Sequence, residues 1–219
     1  KGAAMKKIKN PLIRRIPKEL IGDWKKYLVV FLFLVLTIGF VSGMYVANES
    51  MITSANEGVT KYKQEDGHFE LKKQADATLL SAIETGEKAD FKATKTTLYE
   101  NFFRNEEEDY NNDGKKDGTI RVFAKTKDIN LACMLQGSFP QKADEIAIDR
   151  MHADNVGIKV GDTVTVSGET YKVVGLLAYV NYSTLHEKTT DLMFDALKFD
   201  VAMVTQDGFD RLHKSIHYT

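Results

Sequence analysis

Between Tyr27 and Ala47 the chain runs for 21 residues, YLVVFLFLVLTIGFVSGMYVA, without a single charge. At the helical rise of 1.5 Å per residue such a run is roughly 31 Å long, about the hydrocarbon thickness of a bilayer. Thirteen of its residues are Leu, Ile, Val or Phe. At about 0.4 kcal/mol each they favour insertion by roughly 5 kcal/mol, which the Gly, Ser and Thr positions offset only in part. Trp24 and Tyr27 stand at one edge and Tyr45 at the other, as interfacial aromatics do. A core helix of a water-soluble domain is rarely apolar on every face over this length. A cleaved signal peptide has a shorter apolar core and small residues before the cut, whereas Tyr45-Val46-Ala47 is a poor cleavage site. The run is therefore expected to be a transmembrane helix.

The charge pattern sets its expected orientation. Over 219 residues the net charge is −1, but residues 1–26 carry nine Lys or Arg against Glu19 and Asp23, a surplus of +7, leaving −8 beyond. The positive-inside rule assigns 1–26 to the cytoplasm and 48–219 to the outside of a bacterial-type plasma membrane. A basic arm beside an apolar run suits a lipid surface; the interleaved aromatics of a nucleic-acid groove are missing, and no nucleic-acid partner is expected. Pro17 suits a first helical turn, from which Leu20, Ile21 and Trp24 share a face that Ile13 and Ile16 extend. Such a segment either lies on the inner membrane surface or is a plain basic anchor.

Beyond the membrane, Ala47, Met51, Ile52, Ala55 and Val59 recur at helical spacing, predicting a stiff stalk that continues to about Lys63 and breaks at Asp66-Gly67. The expected division is therefore a cytoplasmic arm (1–26), a transmembrane helix (27–47), a helical stalk (48–65) and an outer domain (66–219). Within that domain the pattern predicts a short strand at 68–71, a helix at 73–84 stopped by Gly86, and strands at 96–104 and 118–124 joined by an acidic turn. Gly137-Ser138-Phe139-Pro140 reads as a turn and 145–149 as a strand, with Asp149 capping a short helix through Ala153. Thr163–Val166 and Thr170–Leu177 alternate like a half-buried hairpin closed by Ser167-Gly168-Glu169. Asp200–Val204 is a buried-type strand and Gly208–Ile216 an amphipathic helix. The fold class expected is a layered α+β (mixed α/β) extracytoplasmic domain with a mixed sheet, preceded by one transmembrane helix.

Residues that carry chemistry are sparse. The single cysteine, Cys133, lies in an apolar stretch with no cation nearby in sequence, and reads as a small buried hydrophobe. His68, His152, His186, His213 and His217 form no tight ligand pair; His213 and His217 could share a helix face but lack a third ligand. There is no GxSxG, Ser-x-x-Lys or P-loop. One loop has metal-like spacing: Asp109, Asn111, Asp113 and Asp117 fall at positions 1, 3, 5 and 9 of a calcium loop, with Gly114 at 6. Position 12 is Ile120 where a bidentate carboxylate belongs, and an acidic hairpin tip uses the same residue types for turn geometry. Calcium at this loop and a solvated turn both remain open readings. No catalytic residue or resident cofactor is expected, and the chain is not expected to be an enzyme.

Taken in order, the basic arm, the first membrane helix, Gly137-x-x-Pro140, Asp144-Glu145-Ile146-Ala147-Ile148, Val160-Gly161-Asp162-Thr163-Val164 and Tyr171-Lys172-Val173-Val174-Gly175 resemble FtsX-like ABC transporter permeases. More narrowly it resembles the MacB-like group, whose extracytoplasmic core domain lies between the first and second membrane helices, and the run from about residue 11 to 212 is consistent with that likeness. It implies a permease subunit that dimerises with a second copy and pairs with a cytoplasmic ABC ATPase, which would bind ATP and Mg²⁺. It also implies mechanotransmission: ATP-driven movement of the first helices is passed to the outer domain, for efflux or for handling peptides or lipoproteins. The family has four membrane helices and this chain shows one, so the resemblance is to the N-terminal part of such a permease. The competing expectation is a single-pass anchored sensor whose outer domain binds a ligand. An anchored enzyme is disfavoured by the missing constellation.

Overall fold

The computed structural model describes residues 15, 18, 19, 21–85, 97–188 and 190–219. The predicted surface segment around Pro17 and Leu20, the helix stop at Gly86 and the strand start at Thr96 lie outside the described residues or at their edge. The chain divides into two compact units between Ala55 and Asn56.

The first unit is dominated by helix α1, Trp24–Thr60, 37 residues without a break. It is long and apolar enough to cross a membrane, the one such helix among the described residues. Its apolar side chains are exposed all round, from Leu28 to Val46. Within the helix, Thr37 donates its hydroxyl to the Phe33 carbonyl at 2.8 Å, so its polar group makes no demand on its surroundings. The helix ends at Thr60, three residues short of the predicted Lys63, which instead adopts a left-handed conformation (φ 50°). That reversal ends the helix before the Asp66-Gly67 signal is reached.

In the second unit the sheet is mixed, as the sequence predicts, but it is not a flat layer. The strands are β1 (Phe102–Asp109), β2 (Gly118–Ala124), β3 (Cys133–Gly137), β4 (Glu145–Asp149), β5 (Thr163–Val166), β6 (Glu169–Ala178), β7 (Phe199–Val204) and β8 (His217–Tyr218). Six of them pair in the order β2-β7-β4-β6-β5-β1, and β1 pairs back to β2, closing a barrel. The layered expectation is corrected for a physical reason: closure leaves no long edge strand with unpaired N–H and C=O groups. The β2–β7 and β4–β6 pairs are parallel and the others in the ring antiparallel. Outside the ring, β3 adds to β6 and β8 to β1.

Alternation sorts the strand residues into two cores. Ile120, Val122, Ile146, Ile148, Val164, Val166, Tyr171, Val173, Ala202 and Val204 fill the barrel, each at most 1% exposed. Their neighbours Phe103, Phe123, Ala147, Leu177, Val201 and Met203 face outward and are covered by Tyr179, Leu185 and Ala196 from the segment before β7. Full burial of an aliphatic side chain of this size contributes about 1.5–3 kcal/mol. Two short helices add to the inner core. α3 (Arg150–Val156) follows β4 and supplies Ala153; α4 (Gln206–Asp210) follows β7 and supplies Phe209. Since β4 and β7 are antiparallel, these helices leave from opposite ends of the barrel. Inside it the Tyr171 hydroxyl donates to the Gly208 carbonyl at 3.1 Å.

Several local expectations shift. The strand predicted at 68–71 is a single bridge, Leu71 to Tyr218. The helix predicted at 73–84 is α2, Ala77–Thr85, which begins where the Asp76 carboxylate accepts the Leu79 N–H at 2.8 Å. The strand predicted at 96–104 is β1, which starts six residues later and ends five residues later. The helix predicted for 208–216 stops at Asp210, so His213 and His217 share no helix face; His217 lies on β8. Cys133 is half-buried and accepts a hydrogen bond from the Tyr62 hydroxyl at 2.9 Å, where full burial is predicted.

Candidate functional site

The acidic hairpin between β1 and β2 holds the four candidate calcium ligands, and its own backbone uses their oxygens. Asp109 accepts the N–H groups of Asp113 (3.1 Å) and Gly114 (2.8 Å). Asp117 accepts those of Tyr110 (3.2 Å) and Asn111 (3.4 Å), and the Asn111 side-chain amide at 3.2 Å. Asn111 Oδ1 accepts the Asp113 N–H at 2.9 Å, and Asp113 Oδ1 the Lys115 N–H at 2.9 Å. Gly114 sits at φ 83° and Asn112 at φ 57°, positions that Gly and Asn tolerate. These hydrogen bonds account for the residue types without an ion. Calcium added to millimolar concentration is accordingly expected to leave the melting temperature of the chain unchanged. A rise of several degrees would instead assign a cation to Asp109, Asn111, Asp113 and Asp117.

A different constellation lies inside the barrel. Glu106 and Glu108 occupy alternate positions of β1 and pair in register with Ile120 and Gly118 of β2, which points both carboxylates inward. The sequence predicts a strand that ends at Arg104 before an acidic turn, with Glu106–Glu108 able to lend charge to the calcium loop; β1 instead continues through them, and of the three Glu107 faces out, 3.3 Å from Lys214 Nζ. Glu106 is satisfied: it accepts the Ser167 hydroxyl and, at 2.9 Å, the Lys214 N–H.

Glu108 is different. It meets His152 from α3 and Asp200 from β7, and one ligand-type atom from each lies within 4.8 Å of the other two. All three residues are buried. Local structure places each one. Asp149 caps α3 by accepting the Met151 N–H (2.7 Å) and the His152 N–H (3.4 Å), which seats His152 in the first turn. The His152 ring is held by the Ala196 carbonyl, 2.8 Å from Nδ1, with the Tyr110 ring edge-on at 5.8 Å. A carbonyl only accepts, so Nδ1 carries the proton and Nε2 faces the carboxylates, 3.4 Å from Glu108 Oε1. Asp200 Oδ1 accepts the N–H groups of Val201 (2.7 Å) and Asp149 (3.2 Å), fixing its carboxylate.

Four atoms of this cluster make no hydrogen bond among the described residues: both oxygens of Glu108, Nε2 of His152 and Oδ2 of Asp200. The electrostatics are correspondingly strained. Burial pulls the His152 imidazolium pKa down, but the Asp200 charge, the Glu108 carboxylate and the Ala196 carbonyl outweigh it and carry the value up to about 9. Burial pushes the Asp200 carboxyl well above the usual range, against the His152 charge. Burial also raises Asp149, opposed by the two N–H groups it caps.

The cluster was not legible in the sequence: its members are 44 and 48 residues apart and share no motif. The one local signal is Asp200 itself, a carboxylate at the start of a strand otherwise apolar on both faces. No family model matches the chain, and no curated protein matches it significantly.

Proposed function

We propose that this chain is the N-terminal part of an ABC transporter permease of the FtsX-like, MacB-like type, anchored in the plasma membrane with residues 48–219 outside. In this reading it forms a dimer, and a cytoplasmic ATPase partner hydrolyses ATP to move the outer barrel unit. The work serves efflux or the handling of peptides or lipoproteins.

The observation that supports it most is helix α1. Its 37 residues extend roughly 55 Å, against about 30 Å of hydrocarbon, so the helix outruns any bilayer it crosses. The residues that follow it, within the second unit, are held to the segment that leads into β3. The Leu131 N–H donates to the Tyr62 carbonyl at 2.8 Å, the Asn130 N–H to the Lys63 carbonyl at 3.0 Å, and Tyr62 to Cys133. An unbroken helix that is longer than the membrane it crosses is suited to carry displacement beyond it.

Two measurements test this. The native full-length protein, purified from its own membranes, is expected to bring down an ABC ATPase subunit in equal amount; isolation without one would overturn the reading in favour of an anchored sensor. Ser54→Pro is expected to cost the helix about 3 kcal/mol locally by removing an N–H and clashing with the preceding turn. In the assembled complex it should abolish the ATP-driven change in distance between spin labels on the two outer domains, while Ser54→Ala leaves that change intact. An unaltered distance change in the proline variant would rule out the helix as the transmitting element.

A further inference from the structure

We propose that Glu108, His152 and Asp200 hold a divalent transition-metal ion, of zinc or manganese type, as a structural ion inside the barrel. The inference is independent of the transport reading and rests on three features of the cluster.

The first is orientation. The Ala196 carbonyl fixes the proton of His152 on Nδ1, which leaves the Nε2 lone pair of the neutral ring aimed at two carboxylates. A backbone carbonyl on the far nitrogen is how metal-binding histidines are commonly positioned. Asp200 is held in the same manner, Oδ1 by two backbone N–H groups with Oδ2 left over.

The second is unmet demand. Nε2, both Glu108 oxygens and Asp200 Oδ2 are buried and make no hydrogen bond among the described residues, although the great majority of buried polar atoms do. A single proton between Nε2 and one oxygen would leave the remaining buried oxygens without a hydrogen bond from the protein. One divalent ion satisfies the imidazole nitrogen and both carboxylates at once, and its charge cancels theirs.

The third is size. Ligand atoms around zinc lie about 2.0–2.2 Å from the ion, so neighbouring ligands stand roughly 3–3.5 Å apart. The atoms here lie within 4.8 Å of one another, with Nε2 and Oε1 already at 3.4 Å, so carboxylate movements on the order of 1 Å complete the site. One nitrogen and two oxygens suit zinc or manganese better than the all-oxygen ions calcium and magnesium. With all three side chains buried, the ion ties β1, α3 and β7 together and is not placed to reach a substrate.

The test uses the full 219-residue chain, purified in detergent without a metal-affinity tag. Elemental analysis should find about one zinc or manganese ion per chain. Melting with a strong chelator present should occur several degrees below melting with excess Zn²⁺ or Mn²⁺, and the ion with the larger effect identifies the native one. Glu108→Gln should cut the metal content at least tenfold. If that variant does not fold, the two wild-type measurements decide. Wild-type protein that is folded, carries less than a tenth of an equivalent and melts at one temperature with chelator, Zn²⁺ or Mn²⁺ would overturn the proposal. Full metal content in folded Glu108→Gln would do the same, by placing the ion elsewhere.

Discussion

Gly137→Ala should cost the barrel unit about 3 kcal/mol or more, a large share of an ordinary domain stability of about 5–15 kcal/mol. Gly137 sits at φ 78°, where a Cβ is strained, and that Cβ would stand 2.2 Å from the Val174 carbonyl oxygen and 2.9 Å from the Gly175 Cα. Both contacts are with backbone, so no side-chain rotation relieves them. Gly137 pairs with Gly175 across β3 and β6, and a Cβ on Gly175 would in turn meet the Ser138 carbonyl oxygen at 2.5 Å. The two glycines allow the strands to approach face to face where the Ser138 N–H bonds to the Val174 carbonyl at 2.9 Å. Thermal or urea unfolding of the variant measures the loss. A melting temperature within a degree of wild type would show that the strands separate at little cost.

The second large effect concerns pH in the metal-free chain. The folded pKa of His152, about 9, lies above its unfolded value of about 6.5. Folding therefore takes up a proton here. The stabilisation is complete below pH 6.5 and is lost as pH rises through 9. In chelator, stability should fall by up to roughly 3 kcal/mol between pH 7 and 9.5, a drop in melting temperature on the order of 6–10 °C. Saturating metal should remove this decline, because the ion takes the place of the proton. A chelated chain whose melting temperature stays level over that range would show that Glu108 and Asp200 do not hold a charged imidazole between them.

The two effects also differ in how far they can be read in advance. Gly137 stands out in the sequence as part of Gly137-Ser138-Phe139-Pro140, and a turn is a fair reading of those residues. What the turn reading lacks is the partner: Gly175, 38 residues on, is where the need for a missing side chain arises. Cysteine 133 shows the same limit. Its apolar neighbours predict burial, but Met134 and Gln136 belong to an added strand outside the barrel ring, where side chains are only partly covered.

Elements whose signal is local were legible. The uncharged run at 27–47 determines a long apolar helix, since no other regular structure satisfies its backbone without help from elsewhere. β2, β4 and β5 fall at the predicted residues, because alternating β-branched and aromatic side chains specify a strand by themselves. The Ser167-Gly168 turn, at φ 48° and 87°, and the Asp149 cap are likewise short-range chemistry. Closure of the barrel depended on the pairing of β1 with both β2 and β5, which is a matter of register between distant segments. The same register decided the site. In Asn105-Glu106-Glu107-Glu108-Asp109 every residue is polar, so nothing local tells which carboxylates face water. Only alignment with Ile120 and Gly118 turns Glu106 and Glu108 inward, where His152 and Asp200 already stand, because a strand's two faces acquire meaning from what each is packed against.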